Sequence, residues 1–371
     1  MKIAVVYDWF DKWGGVERIL LTLKEIFPQA DFFTSYYDKD NLFWLKNFSH
    51  ISESFIKYFP TFFKRNRLFC LPFYPFAFES FNFDSYDLVI SVTAYFAKGV
   101  ITKTKTKHIC YLLTPTRFLW SHSDDYLKNF KFIPKFYLSY LKKFDLISSQ
   151  RPDKIFSISY AIRDRCQKFY QRKSQVIYPP FDFDYWEKIK KKLKKILVKK
   201  NNYFNQLAND YFLIVSRLEP YKKIDLVINL FNRLGKKLLI IGKGSLERKL
   251  KIIAKKNIFF LKDVSDKELA FFYQNTKGLI IPQEEDFGYV SLESQFFNCP
   301  VIAFKKGGVL ETVIEKKTGI FFKEQKEDSL LESIERFEKI RYNLLTNLRK
   351  DKSHLQKFDK KNFINSFRKI Y

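Results

Sequence analysis

Residues 282–293 read Pro-Gln-Glu-Glu-Asp-Phe-Gly-Tyr-Val-Ser-Leu-Glu, and they follow the apolar run Gly278-Leu279-Ile280-Ile281. A short apolar run of this kind predicts a buried parallel strand. Gly288 supplies a turn, and the residues from Tyr289 to Asn298 have the spacing of a helix. The stretch therefore predicts a strand, a loop and a helix at the edge of a sheet, where α/β proteins bind ligands.

Two carboxylates lie eight positions apart in this stretch, Glu285 in the loop and Glu293 in the first helical turn. The N-terminus of a helix offers free backbone N–H groups to a phosphate. Carboxylates accept hydrogen bonds from sugar hydroxyls, and the ribose of a nucleotide is one such ligand. An isolated pair of this spacing would more often cap the helix and favour its positive end. The rest of the chain has to decide between these two roles.

Length and composition limit the classes of protein that this chain can form. A chain of 371 residues is long for one core and fits two domains. The 67 Lys and Arg against 40 Asp and Glu give a net charge of +27, which favours an anionic partner. That partner could be nucleic acid, an anionic membrane surface or a phosphorylated substrate.

Cysteine usage and hydropathy predict a cytoplasmic protein. The four cysteines form no C-x-x-C pair, so neither a zinc site nor a disulfide framework is indicated. The N-terminus reads as a first strand rather than a signal peptide, and no run approaches the roughly 20 apolar residues of a membrane span. We expect any contact with a membrane to be peripheral.

The first half of the chain predicts a parallel, doubly wound sheet. A strand at Lys2–Tyr7 leads through Gly14-Gly15 into a helix at Val16–Phe27, an arrangement that can lay a phosphate against the backbone. Helices are also predicted at Asp125–Phe144 and Tyr160–Tyr170. The other predicted strands are Phe32–Ser35, Asp87–Val92, His108–Leu113, Lys154–Ser157 and Gln175–Tyr178.

The second half predicts another such sheet with six strands. These are Phe212–Ser216, Leu238–Ile241, Ile258–Leu261, Leu279–Pro282, Val301–Phe304 and Ile320–Phe322. Helices are predicted between them at Lys223–Leu234, Leu246–Ala254, Asp266–Tyr273 and from Tyr289. We therefore predict an N-terminal domain over 1–185, a Lys-rich linker over 186–210, a C-terminal domain over 211–350, and a helix over 351–371 that packs toward the N-terminal domain.

Two cations follow the first strand of the second half, in the sequence Ser216-Arg217-Leu218-Glu219-Pro220-Tyr221-Lys222. Arg217 presents a planar fork suited to two phosphate oxygens, and Lys222 presents a compact point charge. In a Lys-rich protein such residues are more often solvated surface. Their position directly after a predicted strand also allows a role in binding phosphate, and the two alternatives stay open on these residues alone.

Three separated motifs together resemble the GT-B fold retaining glycosyltransferases of family 4, and within them the mannosyltransferase-like branch that builds O-antigen and related polysaccharides. These are GGVER from Gly14, SRLEPYKK from Ser216, and EEDFG followed by CPVIAF and GGVLETV. The resemblance covers nearly the whole chain. It implies two Rossmann-like domains facing across a cleft. From the two-domain organisation we also predict that the halves close on the donor.

The resemblance implies roles for particular residues. Arg217, Lys222 and Glu285 would form the catalytic set, with the two cations on the donor diphosphate and Glu285 addressing the transferred sugar. Glu293 would hold the ribose hydroxyls. The remaining donor-binding positions would be Gly14, Gly15, Asp286, Phe287, Gly288 and Tyr289. Such enzymes need no metal ion or other cofactor, and a metal site at Asp124-Asp125 is less favoured than a helix N-cap there.

The chain departs from the family at one position. The segment from His108 to Trp120 resembles the one in which a histidine precedes Thr-Pro and contacts the donor sugar, but this chain has Leu113 there. The departure puts the contribution of that histidine in doubt. Arg117 in the Thr-Pro-Thr-Arg turn is a candidate for binding a phosphate of the acceptor, with a surface arginine beside Trp120 as the alternative.

Residues 55–83 interleave Phe and Tyr with Lys and Arg. Such a segment can lie in the lipid headgroup region, bind single-stranded nucleic acid by stacking and charge, or fill the core. We favour contact of part of it with an anionic membrane, because the family branch extends lipid-linked saccharides.

Three functions are consistent with these observations. The first is a hexosyltransferase that moves a hexose from a nucleotide sugar to a lipid-linked or growing saccharide at the inner face of the membrane. Mannose from GDP-mannose is the first guess, and GDP, UDP and dTDP donors all stay open. The second is a GT-B protein that binds a nucleotide sugar without transferring it, which Leu113 suggests. The third is a nucleic-acid-binding protein, which charge alone suggests.

Overall fold

The computed structural model describes residues 1–11, 14–38, 44, 48, 50–65, 67–121, 134–193, 207 and 210–370. The chain divides into two compact units. The first comprises Met1–Pro180 and Lys360–Tyr371, and the second comprises Phe181–Asp359. The predicted boundary at residue 185 falls inside a helix of the second unit, Phe183–Leu193.

The first unit has a seven-stranded, fully parallel sheet in the order β3-β2-β1-β4-β5-β6-β7. Its central strands are buried along their whole length, as continuous apolar runs in a parallel sheet require. The strands are β1 Ile3–Tyr7, β2 Asp31–Thr34, β3 Ile51–Glu53, β4 Leu88–Thr93, β5 Lys107–Leu112, β6 Lys154–Ser157 and β7 Gln175–Val176.

The helices of the first unit include three short ones in the segment that the sequence analysis assigned to a membrane contact. Aromatic side chains of that segment pack into the core beside Trp9, Phe33 and Phe96. The helices are α1 Gly15–Ile26, α2 Thr61–Arg65, α3 Arg67–Cys70, α4 Tyr74–Glu79, α5 Arg117–Trp120, α6 Lys135–Ser148 and α7 Tyr160–Tyr170. The predicted helix at Asp125–Phe144 is observed only as α6, because residues 122–133 and the Asp124-Asp125 pair lie outside the described residues.

The second unit has a six-stranded, fully parallel sheet in the order β10-β9-β8-β11-β12-β13. All six strands predicted for this half are confirmed. They are β8 Tyr211–Val215, β9 Lys237–Ile241, β10 Ile258–Leu261, β11 Gly278–Ile281, β12 Val301–Phe304 and β13 Gly319–Phe322. The strand order reverses between β8 and β11, so this edge is the topological switch point at which open α/β sheets bind ligands.

The helices of the second unit cover this sheet and bury its apolar side chains. They are α8 Phe183–Leu193, α9 Ile224–Leu234, α10 Glu247–Ile253, α11 Asp266–Asn275, α12 Tyr289–Phe296, α13 Val309–Thr312 and α14 Glu327–Lys350. Part of the predicted linker is therefore ordered helix, because α8 buries Trp186 and Ile189. The last helix, α15 Lys360–Arg368, belongs to the first unit, where Phe363 and Phe367 pack edge-on against Tyr111.

Candidate functional site

The loops after β8 and β11 bring Lys222 and Glu285 together at the switch point. The two strands are paired neighbours, so their carboxyl ends deliver both loops to one edge of the sheet. Lys222 Nζ lies 2.7 Å from Glu285 Oε1, and the side chains are only 10% and 19% exposed. Partial burial strengthens this attraction relative to a surface pair. The two residues predicted to address the phosphate and the sugar are thus in direct contact.

Gln283 is a further partner of Glu285 that the sequence analysis did not single out. Its Nε2 donates a hydrogen bond to the same oxygen, Glu285 Oε1. Gln283 is 3% exposed, and its Oε1 has no hydrogen-bond partner among the described residues. Since a buried amide is costly to leave half satisfied, its contact with Glu285 fixes the direction of that carboxylate.

Arg217 lies at the same edge but faces solvent. One of its terminal nitrogens donates a hydrogen bond of 2.6 Å to the hydroxyl of Tyr221. That is the only hydrogen bond of its guanidinium within the described residues, and a guanidinium has five N–H donors. The fork is therefore braced at one end and can still bind two oxygens of an anion.

The turn at Gly307-Gly308 packs against the loop between β11 and α12, which carries Glu285 and is called the carboxylate loop below. The Gly308 N–H donates a hydrogen bond of 2.7 Å to the carbonyl of Glu285. A Cβ on Gly308 would lie 2.5 Å from Phe287 Cα, so only glycine allows this approach. Gly288 has a φ of 97°, where side chains are disfavoured, and it is the N-cap of α12.

The other predicted donor-binding positions of this loop have mixed exposure. Phe287 is buried and packs edge-on against Tyr289, with ring centroids 5.2 Å apart. Asp286 and Tyr289 are partly exposed. The loop thus combines a buried anchor with polar groups that solvent can reach.

Glu293 lies inside α12 and is 4% exposed. Its Oε2 accepts a hydrogen bond of 3.0 Å from the hydroxyl of Tyr273 on α11. The carboxylate is therefore held by a neighbouring helix as well as by its own. The N-terminal capping that its spacing alone would suggest is not its role, since the N-cap of α12 is Gly288 without a side-chain hydrogen bond.

In the first unit, α1 begins at Gly15 with Gly14 as its N-cap. Gly14 has an extended backbone, and a Cβ there would lie 3.2 Å from Glu17 Oε2. Glu17 is buried in the first turn of α1. A carboxylate at this helix N-terminus competes with a bound phosphate for the same positive end.

A buried carboxylate fixes the turn that carries Arg117. Asp145 accepts hydrogen bonds from Lys98 Nζ at 2.6 Å and from Thr116 Oγ1 at 2.8 Å. It also accepts bonds from Trp120 Nε1 and the Tyr170 hydroxyl, both at 2.7 Å. Arg117 is therefore partly exposed on a turn whose flanking residues are pinned to Asp145, while Leu113 is buried.

Two further features concern metal binding and membrane spans. Within the described ranges, no three His, Cys, Asp or Glu side chains come together as a metal site would need. No helix in the part of the chain that the structure describes is both long and apolar enough to cross a membrane.

Comparison with known proteins matches the second half of the chain to one family model. Residues 191–354 match the model of glycosyl transferases group 1. Among curated relatives, a glycosyltransferase of Methanocaldococcus jannaschii is 26% identical over 49% of this chain and 48% of its own length. The capsular polysaccharide biosynthesis glycosyltransferase CapM of Staphylococcus aureus is 30% identical over 36% of this chain and 38% of its own. The human alpha-1,3/1,6-mannosyltransferase ALG2 is 38% identical over 22% of this chain and 19% of its own.

These matches span about half the length of the curated relatives or less, whereas the structural likeness extends over the whole chain. Anabaena HepE in complex with UDP superposes with a TM-score of 0.69 at 16% identity, covering 100% of this chain and 99% of that one. Sucrose-phosphate synthase of Thermosynechococcus elongatus gives a TM-score of 0.72 at 15% identity, covering 100% and 98%. The chain therefore has the GT-B fold, and its second half is similar to glycosyl transferases group 1.

Proposed function

We propose that this protein is a retaining glycosyltransferase of family 4 that transfers a hexose from a nucleotide sugar to a lipid-linked or growing saccharide. The observation that carries the proposal is the contact of Lys222 with Glu285 at the switch point of the second sheet, 2.7 Å apart. A cation and a carboxylate at this edge suit a ligand with a diphosphate next to a sugar.

The chemistry follows from where charge develops during transfer. The departing diphosphate gains negative charge, so Arg217 and Lys222 would stabilise it. The sugar gains positive, oxocarbenium-like character, and Glu285 would lie beside it. Glu293 would accept hydrogen bonds from the ribose. In this scheme the side-chain cations neutralise the diphosphate without a metal ion.

GDP-mannose is the first donor to test. The human relative is named an alpha-1,3/1,6-mannosyltransferase, and the staphylococcal relative is named for capsular polysaccharide synthesis. The first name supports a hexose donor, and the second supports a polysaccharide product. Because Anabaena HepE was solved with UDP, UDP-sugars belong in the same test.

The test is release of nucleoside diphosphate from GDP-, UDP- and dTDP-sugars in the presence of extracted lipid-linked acceptor. We expect one donor to be turned over by the wild type and not by Glu293→Ala. Tyr211→Phe is a suitable control, because it removes a buried hydroxyl that bonds the Phe272 carbonyl at 2.9 Å. No turnover of any donor, with no binding of any diphosphate, would contradict the proposal.

A second candidate is a GT-B protein that binds a nucleotide sugar without transferring it. Leu113 favours this alternative, since it is a buried apolar side chain where the resembling family has a histidine. Tight binding of a donor without turnover would support it. Leu113→His should then restore measurable transfer.

We also infer that the protein makes a peripheral contact with the anionic inner face of the cell membrane. In segment 55–83, Tyr58 and Phe62 are 79% and 68% exposed. On α6, Phe136 is 76% exposed, and Lys142 and Lys143 are exposed beside it. Exposed aromatic rings among lysines suit the headgroup region of a bilayer with negative lipids.

A further inference from the structure

Tyr273 lies in a stack of aromatic rings that leaves its hydroxyl little freedom. Its ring is nearly parallel to that of Phe297, at an interplanar angle of 11° and a centroid distance of 6.2 Å. Phe297 in turn contacts Trp186 edge-on at 5.6 Å. All three side chains are at most 2% exposed. Since an aromatic side chain has only two rotatable bonds, this packing fixes the position of the hydroxyl.

The fixed hydroxyl ends at a carboxylate. The Tyr273 hydroxyl donates a hydrogen bond of 3.0 Å to Glu293 Oε2, in a buried environment. A hydrogen bond to a carboxylate is stronger than one between neutral groups, and burial strengthens it further. The bond links α11 to α12, two helices that pack against each other. It therefore sets the direction in which the Glu293 carboxylate can accept other hydrogen bonds.

We propose that Tyr273 is a positioning residue that orients Glu293 toward the ribose hydroxyls of the donor nucleotide. This inference rests on the proposed function, in which Glu293 binds the ribose. Tyr273 itself is buried behind the carboxylate and acts through it. The aromatic cluster of Trp186, Phe297 and Tyr273 would thus support the nucleotide site without touching the nucleotide.

The variant Tyr273→Phe removes the hydroxyl and keeps the ring in its stack. We expect the donor KM to rise about tenfold with kcat nearly unchanged, as loss of one hydrogen bond to a charged group predicts. A split between KM and kcat distinguishes positioning from a general loss of structure. The KM for the acceptor should not change.

The sharpest measurement is the dissociation constant, by calorimetry, of a nucleoside diphosphate and of its 2′,3′-dideoxy form. The diphosphate is whichever of GDP, UDP and dTDP binds the wild type most tightly. Tyr273→Phe should weaken the natural diphosphate about tenfold and the dideoxy form less than about twofold, because the latter lacks the hydroxyls that Glu293 would hold. Adding Tyr273→Phe to Glu293→Ala should have no further effect on either ligand.

Tyr211→Phe is the matched control. Tyr211 is 2% exposed, and its hydroxyl bonds the carbonyl of Phe272, the neighbour of Tyr273. This variant loses the same group from the same region without touching Glu293. It should leave the affinity for both ligands unchanged.

The outcomes separate this inference from the proposed function. Binding by the wild type, with equal weakening of both ligands or no weakening in Tyr273→Phe, would overturn the role of Tyr273 and leave the function standing. Failure of the wild type to bind any diphosphate would overturn the function and this inference with it. Selective weakening of the natural diphosphate would support both.

Discussion

Lys222 and Glu285 form an ion pair in a partly buried site. Their side chains are 10% and 19% exposed, so water solvates neither fully. Removing one partner leaves the other desolvated and unpaired, which costs more than the pair itself contributes. On the proposed function, the pair places a positive group for the diphosphate beside a negative group for the transferred sugar.

Lys222→Met should lower the free energy of unfolding by about 2 kcal/mol, since it leaves Glu285 uncompensated. The matched control is Lys236→Met, because Lys236 pairs with Glu338 at 2.7 Å with side chains 34% and 32% exposed. That more solvated pair should cost less than about 1 kcal/mol. Urea denaturation measures both. Equal losses in the two variants would show that burial of the first pair has no energetic consequence.

Stability should fall as the pH drops from 6.5, because two histidines resist protonation in the folded protein. Burial lowers the pKa of His108 to about 3 and that of His354 to about 4, from 6.5. Below pH 6.5 these histidines bind protons in the unfolded chain but not in the folded one. The stability present above pH 6.5 is therefore lost progressively, down to about pH 4 for His354 and about pH 3 for His108. The slope is at most about 1.4 kcal/mol per pH unit for each histidine.

The variant His108→Gln tests this pH dependence. In the wild type, His108 Nε2 lies 2.9 Å from Ser91 Oγ, a contact that a glutamine side chain can reproduce. Urea unfolding between pH 6.5 and 5 should show a shallower loss of stability in the variant. An unchanged slope would mean that His108 does not carry the effect.

For single residues, the sequence motifs predict the candidate site residues but not the hydrogen-bond partners that hold them. The order of motifs along the chain was enough to select Arg217, Lys222, Glu285 and Glu293, whose roles stay predictions. Gln283, Tyr221 and Tyr273 were missed, because their hydrogen bonds depend on which strands and helices are neighbours. The buried Asp145 was missed for the same reason, since its partners come from three different segments.

Among the elements, the loop between β11 and α12 depends on the turn before α13. Gly308 has an ordinary helical backbone with φ of −64°, so its requirement for glycine is purely steric. A Cβ there would meet Phe287 Cα at 2.5 Å and the Asp286 carbonyl at 2.6 Å. Both atoms belong to the backbone and cannot rotate away.

Gly308→Ala should therefore displace the carboxylate loop. We expect a loss of about 1–3 kcal/mol of stability and, on the proposed function, a transfer rate about a hundredfold lower. Gly235→Ala is the control: its φ of +67° strains an alanine, but a Cβ there meets nothing within 4 Å. That variant should lose stability and keep its activity. Similar activities of the two variants would contradict the supporting role of the turn.

Sequence patterns predicted elements well where apolar runs are continuous. The six strands of the second sheet are apolar runs, five of them buried over most of their length, and the sequence predicts all six. Strand β3 was missed, because Ile51–Glu53 has three residues, none of them fully buried, and no apolar run. In segment 55–83 composition could not separate core from surface: Ile56, Tyr74 and Phe78 are buried, whereas Phe62 is exposed.

At the scale of the whole molecule, a strongly basic composition is combined with exposed aromatic rings that concentrate in the first unit. The chain has a net charge of +27, and large exposed apolar side chains concentrate in segment 55–83 and α6. Those of segment 55–83 are Tyr58, Phe62, Phe69 and Phe76, and those of α6 are Phe136, Tyr140, Leu146 and Ile147. Charge alone would fit a nucleic acid equally well, but aliphatic residues such as Leu146 and Ile147 gain nothing from base stacking.

We therefore predict binding to vesicles that contain phosphatidylglycerol, weak binding to pure phosphatidylcholine, and release by salt. Phe62→Ser and Phe136→Ser should each lower the partition coefficient about tenfold, since each removes a ring that would enter the headgroup region. Tyr342→Ser is the control, because Tyr342 is 80% exposed on α14 of the second unit. Cosedimentation at two salt concentrations measures all four proteins. An equal effect of Tyr342→Ser would contradict the membrane contact. Binding to random RNA but not to vesicles would also contradict it, and would favour a nucleic acid as the partner of the basic surface.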